Sequence, residues 1–165
     1  MQEKTNISID AALELVQNAF VASGLNEESA QSVARALVMA EAEGQVGHGF
    51  SRVGDYIAQM KSGKINASAT PTVVSQSPSY LHVSADNGFA YPALDLAIDQ
   101  AVQMAATTGC VAIAVSQSNH CGTLASHVEK LAMQGLIGIM VANTPAAIAP
   151  WGGNKPLYGT NPIAF

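Results

Sequence analysis

The spacing of the apolar residues changes once along this chain, at Lys64, and that change limits the architecture more than any other feature. Before it, apolar residues recur at helical intervals. Leu13, Leu15, Val16, Ala19 and Phe20 follow this spacing, Ser8 or Asp10 is placed to cap the start, and Gly24 stops the run. Asn26, followed by Glu27 and Glu28, opens a second helix with acid in its first turn, where the helix dipole favours it. Val33, Ala36, Leu37 and Ala40 form its buried stripe. Gly44, Gly47 and Gly49 interrupt, and a third helix is predicted over 51–61, ending at Gly63. After Lys64 the apolar residues gather into short runs. Residues 72–75 and 81–85 read as strands, and Asp86-Asn87-Gly88 is a turn signal. Residues 92–106 form an amphipathic helix with Leu94, Ile98, Ala101, Val102 and Ala105 on one face. Continuous apolar runs at 110–115 and 136–141 predict buried strands on either side of a helix over 124–133. A loop rich in Pro and Gly follows at 145–156, in which Trp151 reads as simple packing. The pattern is α/β: a helical head, residues 1–66, precedes a partial α/β domain, residues 67–165. The last residues, Ile163-Ala164-Phe165, begin an apolar run that stops without a partner. The expectation is a chain that ends partway through a domain, the alternative being a short native C-terminal strand.

Composition closes off several classes of function. Apolar residues make up 48% and charged residues 12%, against about 25% charged in ordinary domains, so the chain is expected to fold rather than remain disordered. Only seven residues are Lys or Arg and the net charge is −5, which argues against a nucleic-acid surface. No apolar run reaches the roughly 18 residues of a membrane span, and the first ten residues lack the apolar stretch of a secretory signal. Two cysteines, Cys110 and Cys121, supply neither a disulfide framework nor a four-thiolate metal site. A soluble, reduced, cytoplasmic protein is expected.

Three stretches could carry chemistry. In Gly47-His48-Gly49-Phe50-Ser51-Arg52, His48 and Arg52 are four apart, so one helix would place both on one face, with Tyr56 a turn further on. A histidine can deliver a proton near neutral pH, and an arginine offers a planar fork to a carboxylate. Together they suit a substrate with a reducible carbon beside a carboxylate. The same residues also read as a helix start in which His48 caps and Arg52 pairs with Glu41, Glu43 or Asp55. The second stretch, Ser116 to Thr123, joins a strand to a helix. Such a polar, Gly-containing turn can offer backbone amides to a nucleotide phosphate, or can be an ordinary capped loop. His120 and Cys121, with His127 six residues past the cysteine, match no zinc spacing, and no metal is expected. The third runs from Asn143 at a strand end to Gly159-Thr160-Asn161-Pro162. Neither a dinucleotide-binding glycine fingerprint nor a P-loop occurs. His82, between Leu81 and Val83, reads as facing solvent.

Several motifs in order carry a resemblance. Glu41-Ala42-Glu43-Gly44, His48-Gly49-x-x-Arg52-Val53, Asn119-His120-x-Gly122, Ala149-Pro150-Trp151-Gly152-Gly153 and Gly159-Thr160-Asn161-Pro162-Ile163-Ala164-Phe165 resemble the type-2 malate/L-lactate dehydrogenase family. That family also holds ureidoglycolate, sulfolactate and cyclic imino acid oxidoreductases. The resemblance implies a non-Rossmann cofactor domain with a mixed sheet, NADP or NAD as cofactor, and oxidoreduction at C2 of a small 2-oxo, 2-hydroxy or 2-imino acid. It also implies a homodimer. By position, it makes His48 the proton donor and Arg52 the clamp on the substrate carboxylate. His120, Cys121, Gly122, Thr123 and Leu124 become a cofactor-binding loop. Thr160 becomes a substrate-binding residue like that of the imino acid reductases, which tilts the reading towards Δ1-piperideine- or Δ1-pyrroline-2-carboxylate and away from malate or lactate. Gly47 stands where the family usually has a serine. The family's chains are about twice as long, so an inactive fragment or one piece of a split enzyme, completed by a C-terminal half, is the other expectation.

Overall fold

Two side-chain caps start the first helices. Ser8 Oγ accepts the Ala11 amide at 3.2 Å and opens α1 (Ile9–Ala22). Asn26 Oδ1 accepts the Ser29 amide at 2.9 Å and opens α2 (Glu27–Ala42), with Glu27 and Glu28 in its first turn. The computed structural model describes residues 6–165; residues 1–5 of the stretch read for a secretory signal lie outside it. The chain divides into two compact units, one running to Gly122 and the other covering Thr123–Phe165.

In the first unit, α1 and α2 bury Val16 and Phe20 against Val33 and Leu37, and α3 (Ser51–Lys61) adds Tyr56 and Met60. Phe89, the N-cap of α4 (Ala90–Thr108), meets Phe20 edge to face with ring centres 5.9 Å apart. The predicted apolar face of α1 is right except at Leu15, which is 62% exposed. Being adjacent to Val16, it lies about 100° away around the helix, off the buried stripe.

A three-stranded mixed sheet follows, as expected. Strands β1 (Thr72–Ser77) and β2 (Tyr80–Ser84) are antiparallel, β2 and β3 (Ala112–Ser116) are parallel, and the order is β1-β2-β3. Helix α4 is the crossover between the two parallel strands. Its Ala93 and Ala97 pack on Leu81, Val83 and Ala85, the small side chains allowing close approach to the sheet. The turn after β2 places Asp86 and Asn87 at φ 52° and 57°, a left-handed conformation that Asp and Asn tolerate. Among the described residues no helix is long and apolar enough to cross a membrane.

The second unit holds α5 (Ala125–Ala132) and a two-stranded antiparallel pair, β4 (Met140–Val141) with β5 (Ile163–Ala164). Two predicted strands need correction. The run at 110–115 forms β3, but Ile113 is exposed and Val115 only half-buried. The run at 136–141 pairs only over Met140–Val141, with Ile137 and Ile139 exposed. A continuous apolar run reports a strand's composition but not which neighbours cover it. Trp151 is likewise fully exposed rather than packed.

Candidate active site

The site is built around the joint between α2 and α3. Glu41, near the end of α2, accepts the Phe50 amide at 2.9 Å, and Ser51 Oγ donates to the Val46 carbonyl at 2.6 Å. A side chain at Gly49 would press into Glu41, with an added Cβ 2.9 Å from the Glu41 Cβ. The lack of a Cβ there lets the two helices meet. His48 sits on a 3-10 turn, Val46–His48, and α3 begins only at Ser51. His48 and Arg52 therefore do not share one helix face, because the 3-10 turn that holds His48 ends at Gly49, before α3 begins.

Arg52 is nonetheless tied to that turn. Its Nε donates to the Gly47 carbonyl at 2.6 Å. Its pairing with Asp55 is longer, 3.8 Å, between accessible side chains, and contributes little to stability. The capping reading of His48 fails: Phe50, not His48, is the N-cap of α3, and its amide is taken by Glu41.

From the other side, the loop after β3 brings His120 to the same place. Asn119 Nδ2 donates to the carbonyls of Asn87 and Gly88 at 2.8 and 3.1 Å, fastening the loop to the turn after β2. The His120 ring stacks on His48 with centres 5.5 Å apart and planes 21° apart. Its Nδ1 lies 2.6 Å from the Tyr56 hydroxyl, and Tyr56 lies 2.9 Å from the Tyr91 hydroxyl. Tyr56 and Tyr91 are both buried.

Burial of this edge of the ring lowers the His120 pKa to about 4, and the neighbouring His48 and Arg52 push in the same direction. His120 is neutral at physiological pH. Burial raises the pKa of Tyr56, and that of Tyr91 still further, so both remain phenols. Burial also keeps Cys121 a thiol by pushing its pKa up. The His48, Arg52 and His120 of the sequence reading thus converge in the first unit, with Cys121 and Gly122 next along the loop. His82 is half-buried, and its Nε2 lies 2.8 Å from Ser116 Oγ rather than facing only solvent.

Thr123, Leu124 and Thr160 belong to the second unit. Leu124 is buried, and the Thr123 carbonyl accepts from Ser126 Oγ at 2.9 Å. Thr160 is exposed, its hydroxyl 3.2 Å from that of Thr144. Asn161 Oδ1 accepts the Thr144 amide at 3.0 Å, so the turn is bound to the segment just after Asn143.

Sequence reasoning missed Tyr91 altogether. It lies in the first turn of α4 and fits an ordinary core position, so nothing in the periodicity marks it. Tyr56, at i+4 from Arg52, was the one available hint.

The family described as malate/L-lactate dehydrogenase matches this chain over residues 7–165. The chain belongs to that family. Among its relatives, the (2R)-3-sulfolactate dehydrogenase (NADP(+)) of Chromohalobacter salexigens is 43% identical, over 96% of this chain and 47% of that protein. The Δ1-pyrroline-2-carboxylate/Δ1-piperideine-2-carboxylate reductase of Pseudomonas syringae pv. tomato is 33% identical, over 99% and 48%. Among solved structures, malate dehydrogenase from Entamoeba histolytica superposes with a TM-score of 0.90 at 29% identity, covering 98% of this chain and 45% of that one. Sulfolactate dehydrogenase from Methanocaldococcus jannaschii superposes with a TM-score of 0.88 at 30% identity, covering 95% and 46%. The chain spans about half the length of the curated relatives it matches.

Proposed function

We propose that this protein is an NAD(P)-dependent oxidoreductase acting at C2 of a small carboxylate-bearing acid. One observation carries the reading: the Arg52 guanidinium is anchored on the Gly47 carbonyl, beside the stacked rings of His48 and His120. An oriented guanidinium receives a carboxylate, and His48 then has the chemistry to protonate the oxygen or nitrogen on the adjacent carbon. Because His120 is neutral, the role of proton donor falls to His48.

The residues 120–124 suit an anionic dinucleotide. They contain no carboxylate, and Cys121 stays uncharged. His120, Cys121, Gly122, Thr123 and Leu124 would hold NADP or NAD, which when bound supplies or accepts the hydride. Thr160 is assigned to the substrate. We assign residues 1–66 to a helical head carrying His48 and Arg52 and residues 67–165 to the cofactor part, with a homodimer as the assembly.

Within this class, Thr160 favours a cyclic imino acid. The 43% identity to a sulfolactate dehydrogenase favours a 2-hydroxy acid with a second anionic group. Kinetics of Arg52→Lys in the natural protein test the shared reading. The charge stays but the bidentate fork is lost, and kcat/KM should fall about tenfold or more with either class of acid, since a charged hydrogen bond is worth about 1.5–3 kcal/mol. An unchanged kcat/KM removes Arg52 from the site.

A further inference from the structure

The Tyr91–Tyr56–His120 chain has only one possible direction. The Gly122 amide donates to His120 Nδ1 at 3.4 Å. A backbone N–H cannot accept, so Nδ1 is an acceptor and carries no proton. The Tyr56 hydroxyl, 2.6 Å from the same nitrogen, must then be the donor. Its one hydrogen being used, the bond between the two tyrosines takes its hydrogen from Tyr91. Each phenol has a single O–H, so the order Tyr91 to Tyr56 to Nδ1 is fixed from the buried end outward. A neutral imidazole without a proton on Nδ1 carries it on Nε2.

We propose that Tyr91, acting through Tyr56, is a positioning residue that fixes His120 as the neutral imidazole with its proton on Nε2. A ring free to exchange tautomers would offer its neighbours a donor or an acceptor by turns. The locked ring offers one donor, with constant sense, next to His48. It also leaves the proton of that stacked pair to His48, because protonating His120 would require Nδ1 to donate towards a hydroxyl that is itself already donating. Gly122 belongs to the same device. A Cβ there would lie 2.7 Å from the Tyr91 hydroxyl oxygen, so the loop glycine makes room for the first member of the chain. The charged and titratable groups around His120 are His48 on the 3-10 turn, Arg52 and Tyr56 on α3, Tyr91 on α4, and Cys121 beside it in the loop. His48 and Arg52 disfavour a second positive charge, and the two phenols supply the direction.

The test is a long-range proton–nitrogen NMR titration of the natural protein labelled with ¹⁵N-histidine, the four histidines being assigned by single replacement. In the wild type, His120 should show a pyrrole-type Nε2 and a pyridine-type Nδ1 near neutral pH, and should take a proton only near pH 4. In Tyr56→Phe the donor to Nδ1 is gone. The midpoint should rise by about one pH unit and the two tautomers should mix. In Tyr91→Phe the Tyr56 bond survives but loses its orienting partner, and the midpoint should rise by a smaller amount. His48 and Arg52 are untouched in both variants, so a shift reports the hydroxyls. A pyrrole-type Nδ1 in the wild type would overturn the proposal even if neither variant folded. So would an unchanged tautomer and midpoint in both folded variants. The readout is the ring's own proton, so it stands apart from the success or failure of any oxidoreduction assay.

Discussion

At the level of single residues, the proposed chemistry is divided between His48 and Arg52. The structure keeps His48 out of the capping network of α3, so His48→Asn should leave the fold intact. If His48 is the proton donor, the same change should lower kcat by about 100-fold or more, as expected for a positioned acid. Circular dichroism and kcat measured on the same preparation separate the two effects. The sign of the pH dependence follows as well. Reduction would consume a proton that the donor supplies, so its rate should fall as the pH is raised, whereas oxidation should show the opposite trend. Near-normal turnover in a folded His48→Asn protein would remove His48 from the mechanism. His48 and Arg52 were singled out in the sequence because few residue types bind a carboxylate or deliver a proton, and the fold places both at the joint between α2 and α3. That they would not share one helix face was not legible, since glycine's effect on local backbone depends on which turn the surrounding packing selects.

The helices and strands were read well from caps and glycines, and poorly from apolar runs. Ser8, Asn26 and Gly63 mark real boundaries because their effect is local: one hydrogen bond, or one residue at φ 74°. Burial is non-local, and so β3 and β4 were expected to be more deeply covered than they are. The loop after β3 is the element on which the site most depends. It runs from Gln117 at φ 50° to Gly122 at φ 69°, with Gly122 against the Tyr91 ring of α4. Gly122→Ala meets both a left-handed backbone and a Cβ contact of 2.7 Å. It should destabilise the fold by about 1–3 kcal/mol, read as a lower denaturation midpoint in urea. A midpoint equal to that of the wild type would mean that the loop and α4 are not packed as described.

Across the whole molecule, two units carry different parts of the inferred machinery. The first holds His48, Arg52 and the tyrosine–histidine chain; the second holds Thr123, Leu124 and Thr160. The helical start and the mixed sheet were readable from the change in periodicity at Lys64, and the family from motifs spread in order along the chain. The tyrosine pair was not, because two core aromatics 35 residues apart become a hydrogen-bonded pair only once α3 and α4 are packed together. The central claim, hydride transfer at C2 beside a carboxylate, is tested most directly by isotope transfer. The natural protein is incubated with NADH or NADPH deuterated at the transferring C4 position, together with sulfopyruvate, oxaloacetate, pyruvate or Δ1-piperideine-2-carboxylate, and the product is read by mass spectrometry and NMR. The account predicts one deuterium at C2 of the reduced acid, in proportion to the cofactor oxidised. Deuterium at any other carbon, or cofactor oxidation without deuterium in the acid, would contradict it.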